Sequence, residues 1–239
     1  SAPPPRRCGR CVGRVIDLCT KVNGEGFIAK TPEARFAFWH ERSKTAAISA
    51  HTNAFKLNED VVIPLDKIGE YTLGCETFNI ECSIDNKLEM LDALEGYLRG
   101  YISLGKPTLT AGVPKELLLD ATVPQALKLI EAVRSRWSFL RHHFDAKVSE
   151  NAETLINLGI TLPAAVLRKY RNKTVFDLIY DRTVRVSWKK EVRAELFKIF
   201  PGDAFEKVRT EIDVIHARVL RGRVFIALHM HAGDGNVHT

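Results

Sequence analysis

The amino-acid sequence predicts an α+β fold, in which a small antiparallel sheet is covered by helices. Short runs rich in β-branched and aromatic residues at 60–64 and 224–228 are typical of buried strands. Between them the apolar residues recur mostly at helical spacing, which predicts a large helical insertion over about residues 74–221. The sheet is therefore expected around Lys56–Pro64 and Arg223–His231, with room for a third strand.

The N-terminal quarter is predicted to be helical after a short leader or linker at residues 1–11, which is rich in proline and arginine. Helical periodicity starts at Val12. The next helix is expected to have Thr31 as its N-cap and Pro32 at its first helical position. This second helix is expected to run to about Ala50. Phe36 and Trp39 are expected to face the core from it.

Proline and glycine divide the predicted insertion. The first long helix is expected over 75–103, and Thr122 is a plausible cap for a helix that ends near Leu140. Leu162-Pro163 and Pro201-Gly202 predict breaks. The last helix is expected to end at Arg221-Gly222, directly before the final strand.

Composition limits the class of protein. With 239 residues, 45% of them hydrophobic, the chain can bury a sizeable core. The net charge of +6 comes from Lys and Arg interleaved with Asp and Glu, so a solvated surface is favoured over nucleic-acid binding. No apolar run reaches the roughly 18 residues of a membrane span. A cytoplasmic protein is expected, with peripheral attachment to the inner membrane as an alternative.

The most informative stretch is His231-Ala-Gly-Asp-Gly-Asn-Val-His238, which follows the apolar run. Gly233 and Gly235 flank Asp234 and permit a tight turn, so the two histidines can converge on a divalent metal such as zinc. The imidazoles can equally satisfy backbone groups around the turn. Spacing alone leaves both interpretations open.

This octapeptide resembles the His-x-Gly-Asp-Gly-Asn-x-His signature of the C-terminal cap domain of FAD-linked 2-hydroxy-acid dehydrogenases. These are of the D-lactate dehydrogenase and glycolate oxidase subunit type, within the vanillyl-alcohol oxidase group of flavoproteins. The resemblance covers roughly residues 12–239 and includes Trp188, Phe176 and the segments 54–64 and 24–28. It implies a ferredoxin-like cap sheet, formed by about residues 24–73 and 222–239.

The resemblance also implies residue roles. Arg42, Thr45 and Lys56 align with residues that hold the substrate carboxylate, for which an arginine fork is well suited. His231 and His238 would be catalytic and would bind the metal. A second set, expected to shape the turn and face the flavin, consists of Asn236, Gly233 and Gly235.

The implied activity is oxidation of a D-2-hydroxy acid, of the D-lactate or glycolate type, by hydride transfer to FAD. A glycine-rich strand-turn-helix segment does not appear in the sequence, so a flavin-binding domain absent from this chain is expected to bind most of the FAD. The chain alone is therefore expected to be inactive. In the alternative reading, it is a non-catalytic assembly module that docks a flavin or iron–sulfur partner or another electron acceptor, and its histidines are structural.

Overall fold

The computed structural model describes residues 8–26, 28–45, 60–105, 115–231 and 235–238. The chain divides into two compact units, Ser1–Asn53 and Ala54–Thr239. Most of the described residues are helical, as the predicted insertion requires. None of the described helices combines the length and the apolar character that crossing a membrane requires.

The described residues of the first unit form two helices, α1 (Cys8–Lys21) and α2 (Pro32–Thr45). Thr31 caps α2 as predicted, because its hydroxyl accepts a hydrogen bond from the backbone N–H of Ala34 at 3.2 Å. The predicted continuation over 46–50 lies outside the described residues. Phe36 and Trp39 are 73% and 63% exposed, so the prediction that they face a core is wrong. Charged residues flank these aromatics on both sides, at Arg35 and Glu41, and α2 has no continuous apolar stripe.

The second unit is built on three long helices, α3 (Ile68–Arg99), α4 (Lys115–His142) and α9 (Glu206–Leu220). Their apolar faces share one core, in which Leu94 and Trp137 are completely buried. Short helices fill the chain between α4 and α9: α5 (Val148–Asn157), α6 (Ala164–Lys169), α7 (Val175–Tyr180) and α8 (Ala194–Ile199). Single 3₁₀ turns stand at Leu65–Lys67 and Asp203–Phe205.

Helix α4 begins earlier than predicted. Thr122 does not cap it, because the Thr122 hydroxyl donates to the carbonyl of Leu118 at 2.8 Å inside the helix. Pro124 also lies within the helix although it cannot donate a backbone hydrogen bond. Leu118 and Val123 pack against the main core, and this burial outweighs the unfavourable proline.

Helices α5 to α7 surround a second, smaller core. Tyr170 is completely buried there, and its hydroxyl is hydrogen-bonded to Asp181 and to Thr183. Thr174 and Asp177 form a capping box at the start of α7. The predicted break at Pro163 is confirmed, since α6 begins directly after it.

A π-helical turn, Trp188–Arg193, connects the smaller core to α8. Glu191 on this turn accepts hydrogen bonds from Arg136 Nη1 and from the Ser187 N–H, both at 2.6 Å. Arg136 Nε also donates to the Leu158 carbonyl, at 2.7 Å. Arg136 therefore ties the end of α5 and the π-helical turn to α4. Trp188 is buried in the main core, as expected for a packed helix rather than a base-stacking surface.

Among the described residues, the sheet has three short antiparallel strands in the order β1-β3-β2: β1 (Asp60–Val62), β2 (His229–His231) and β3 (Asn236–His238). The small antiparallel sheet is thus present, and its strands come from near the two parts of the chain for which the sheet is predicted. The ferredoxin-like topology stays a prediction. The prediction of a strand at 224–228 is wrong, because that segment has no strand pairing. Its backbone instead bonds the side chain of Asn79 on α3 at Ile226.

Candidate functional site

The strand register collects polar residues on one face of the sheet. His229 stands opposite His238, and His231 stands opposite Asn236. Asp60 of β1 is paired with His238 on the other side. Directly paired residues share a face and alternate residues along a strand return to it, so all five belong to the same face. The sequence predicts that His229 and His231, which alternate on a strand, share a face, and the register adds His238 and Asp60 to that face.

The opposite face of the sheet is apolar. Val61, Val237 and Met230 are paired across the three strands at the alternate register positions. Val237 is completely buried, whereas Val62, which belongs to the polar face, is 78% exposed. The sheet is therefore amphipathic. The face to which the histidine positions belong is the face on which Val62 is exposed to solvent.

The turn between β2 and β3 depends on glycine at position 235. Gly235 has φ +69°, and its carbonyl accepts a hydrogen bond from the Ile63 N–H at 2.8 Å. A Cβ added there would lie 2.3 Å from the Ile63 carbonyl oxygen. Both the backbone conformation and the close approach to β1 therefore require glycine, as the motif predicts. Gly233 and Asp234 lie outside the described residues.

Asn79 anchors the segment that leads into β2. This buried side chain donates from Nδ2 to the Ile226 carbonyl at 2.9 Å and accepts from the Ile226 N–H at 2.7 Å. The side-chain amide of Asn79 thus makes the two backbone hydrogen bonds to Ile226 that a neighbouring strand would otherwise make. Sequence reasoning missed Asn79, although a polar residue directly between the apolar Phe78 and Ile80 was a usable signal.

The residues expected to bind the carboxylate are only partly described. Arg42 and Thr45 stand in the last turn of α2, where the structure gives the backbone but no side-chain placement. Lys56 lies outside the described residues. The structure therefore supplies a backbone position for Arg42 and Thr45, and their binding roles stay predictions.

The residue types on the polar face of the sheet include histidine and aspartate, which bind divalent metals in many proteins. Opposite residues of an antiparallel pair have Cα atoms roughly 4.5–5.5 Å apart, and imidazole nitrogen binds zinc at about 2.0–2.1 Å, so opposed donors can share one ion. The register places His229, His231, His238 and Asp60 at positions of one face. Among the described residues, no group of three or more His, Cys, Asp or Glu side chains is placed to hold a metal ion.

A second concentration of charge lies at the π-helical turn and α9. Arg193 donates to both carboxylate oxygens of Asp213, each at 2.7 Å, and these hydrogen bonds lower the pKa of Asp213. His216 stacks on Trp188 with ring centroids 4.8 Å apart. Burial lowers the pKa of His216, and Asp213 acts in the opposite direction.

No protein-family model matches this chain, and neither does any curated protein or solved structure.

Proposed function

We propose that this chain forms the substrate side of an FAD-dependent dehydrogenase that oxidises a D-2-hydroxy acid of the D-lactate or glycolate type. The observation that carries the proposal is the strand register, which assigns three histidines, Asn236 and Asp60 to one face of the sheet. The glycine-dependent turn beside them supports it, because Gly235 brings the motif's backbone against β1.

In this proposal the substrate is held at both ends. Arg42, Thr45 and Lys56 bind its carboxylate through charge-assisted hydrogen bonds. His231 and His238 bind the 2-hydroxyl group, and one of them accepts its proton. Asn236, together with the backbone of Gly235 and Gly233, shapes the surface that faces the flavin.

Two groups would complete the chemistry. FAD, held mainly by a separate flavin-binding domain, supplies the hydride acceptor when bound. A divalent metal such as zinc, held by His231 and His238, supplies positive charge that favours the ionised hydroxyl. Electrons would leave through an iron–sulfur or other electron-acceptor partner.

The first test is the visible spectrum of the protein produced from its complete native reading frame, recorded under argon before and after D-lactate is added. Flavin absorption that bleaches with D-lactate is the expected result. A colourless protein, or flavin bands unchanged by D-lactate and by glycolate, would contradict the proposal.

The second test assigns the histidines. His231→Ala in the flavin-loaded protein should lower kcat/KM by about 10²–10⁴-fold, as expected when a group that accepts the proton is removed. The control is His142→Ala, because His142 is an exposed residue at the end of α4 whose Nδ1 lies 2.8 Å from the Ser138 carbonyl. Turnover in His231→Ala equal to that of the control would exclude the catalytic role.

A second candidate is a non-catalytic assembly module, and the exposed aromatics of α2 favour it. Phe36, Phe38 and Trp39 are 73%, 45% and 63% exposed, which is typical of a surface that contacts another protein. If it is correct, a flavin-containing complex assembles with the chain, and Phe36→Ser with Trp39→Ser weakens assembly, while His231→Ala leaves turnover unchanged.

A further inference from the structure

The net positive charge of the chain comes from one stretch. The whole chain contains 35 Lys and Arg residues and 29 Asp and Glu residues. Residues 164–190 contain eight of the basic residues and two of the acidic ones, which leaves 27 of each for the rest of the chain. The excess of +6 is therefore carried by this stretch, which comprises α6, α7 and the start of the π-helical turn.

The basic residues of this stretch are all exposed, and most of them have no carboxylate partner. They are Arg168, Lys169, Arg171, Lys173, Arg182, Arg185, Lys189 and Lys190. The two aspartates of the stretch engage lysines, because Lys169 Nζ lies 3.8 Å from Asp181 and Lys173 Nζ lies 4.0 Å from Asp177. Among the described residues, none of the four arginines forms an ion pair with a carboxylate. An ordinary solvated surface mixes both signs of charge, so this excess requires an explanation.

The buried Tyr170 holds two turns of the stretch together. Its hydroxyl donates to Asp181 and is hydrogen-bonded to Thr183. Lys169 Nζ lies 4.9 Å from the centroid of the Tyr170 ring. The turns at 168–173 and 181–185 therefore lie side by side. We refer to the basic residues of these two turns as the basic surface, which consists of Arg168, Lys169, Arg171, Lys173, Arg182 and Arg185.

The second turn is held in a conformation that the sequence does not favour by itself. Arg182 has φ +63°, in the left-handed region that residues other than glycine rarely adopt. The Asp181 carboxylate accepts from the Thr183 N–H at 3.1 Å, and Arg185 Nε donates to the Arg182 carbonyl at 3.4 Å. Such conformations persist where the surrounding structure fixes them, and they are frequent at binding sites. The basic surface is thus preformed, which reduces the entropy lost when a partner binds.

The surroundings of the basic surface favour a protein partner over a lipid surface or a nucleic acid. Among the large hydrophobic residues of 164–190, Tyr180 is the exposed one, at 47%. Insertion into a lipid surface requires an apolar face, and binding of single-stranded nucleic acid uses several exposed rings. Tyr170 and Trp188 are buried and supply neither. Arginine beside an exposed tyrosine is instead typical of protein interfaces.

We propose that the basic surface docks an acidic segment of a partner protein, whose Asp and Glu carboxylates pair with its arginines. A guanidinium suits this partner because it binds a carboxylate through two parallel charge-assisted hydrogen bonds. The docking is independent of hydroxy-acid oxidation, so it can be tested without flavin or turnover.

The test is fluorescence anisotropy of a labelled oligoglutamate peptide titrated with the full chain, at low and at physiological ionic strength. The informative variant is Arg171→Gln with Arg185→Gln, which removes one charge from each turn. The matched control is Arg218→Gln with Arg221→Gln, because both are exposed arginines at the end of α9 and the net charge falls equally. Thermal unfolding checks that all three proteins are folded. The same proteins are titrated with a DNA oligonucleotide of equal charge and with phosphatidylglycerol vesicles.

Saturable peptide binding is expected for the wild type and for the control. In Arg171→Gln with Arg185→Gln, the peptide Kd should rise about 3–30-fold, the range for the loss of two exposed ion pairs. Binding should weaken as salt is added, because surface charges are screened. The peptide should shift the backbone amide resonances of 168–173 and 181–185 and leave those of 218–221 in place.

Three results would overturn the proposal. The first is the absence of peptide binding. The second is an equal loss of affinity in the two double variants, which would mean that net charge alone attracts the peptide. The third is tighter binding of the wild type to the DNA or to the vesicles than to the peptide, which would assign the surface to a different class of partner.

Discussion

The helical body of the second unit and its three-stranded sheet are stabilised in different ways. The body buries Leu91, Leu94 and Trp137 completely in one continuous core. The sheet consists of three-residue strands. Among the side chains described in these strands, that of Val237 is completely buried. It depends instead on the Gly235 turn and on the anchor that Asn79 provides. The stable part of the molecule is thus distinct from the part that carries the proposed chemistry.

The largest expected effect is in the body. Trp137→Ala should lower the free energy of unfolding by about 3–5 kcal/mol, because it leaves a cavity and removes the indole donor to Glu191. Urea unfolding followed by circular dichroism measures the change. Leu117→Ala on the same helix is the control, since Leu117 is 59% exposed. Similar losses in the two variants would mean that the core is not centred on Trp137.

Gly235→Ala should damage the sheet more than the body. A left-handed conformation costs a non-glycine residue about 1–3 kcal/mol, and the added Cβ would also collide with the Ile63 carbonyl. Faster exchange of the Ile63 amide hydrogen is the expected local sign, since that N–H donates to Gly235. Gly69→Ala is the control, because a Cβ at Gly69 meets nothing within 4 Å. Normal protection at Ile63 in Gly235→Ala would contradict the proposed role of the turn.

Asn79→Ala should separate the sheet from the body at a smaller energetic cost. The variant leaves the N–H and carbonyl of Ile226 without their partner, which should cost about 1–3 kcal/mol. In the flavin-loaded protein, turnover should fall while the helical signal is kept. Thr77→Ala is the control, since the half-buried Thr77 hydroxyl donates to the Leu73 carbonyl of its own helix. Asn79→Asp keeps the acceptor for the Ile226 N–H and should recover part of the loss.

The smallest effect expected is a change in the pH dependence of stability. His216 has a folded-state pKa below its ordinary value of 6.5, so the unfolded chain takes up the proton first as the pH falls. Stability is therefore lost as the pH drops through about 6.5 and levels off below the folded pKa. His216→Phe keeps the ring against Trp188 and should reduce the difference between urea midpoints at pH 7 and pH 5. An unchanged difference would contradict this assignment. Asp213 contributes separately to the pH dependence. Because its pKa is lowered in the folded protein, the stability that it contributes is lost only as the pH falls below about 3.8.

The sequence predicted the body better than the sheet. Helical periodicity located the long helices, and Pro163 correctly marked the start of α6. Thr122 misled the prediction for the start of α4, because a capping signal does not report how strongly Leu118 and Val123 pack against a distant core. Tertiary burial decided that boundary.

Within the candidate site, the sequence identified the motif and the need for glycine at position 235. It could not give the strand register, which is set by pairing across the whole insertion and which assigns His229 and Asp60 to the face of His238. The 224–228 run resembled a strand because it is apolar and β-branched. Asn79, remote in sequence, supplies the pairing at Ile226 that a neighbouring strand would otherwise have supplied.

The direct pairing of β1 with β3 has a consequence for how the protein folds. Val62 pairs with Asn236, so two ends roughly 170 residues apart must meet, and closing so long a loop in an unfolded chain costs on the order of 4–5 kcal/mol. Pairs of three-residue strands do not recover that entropy. The helices must therefore condense first and bring the two ends together. The sheet is then a late-forming element of high contact order, and the rate at which its histidine-bearing face appears is set by the assembly of the helices.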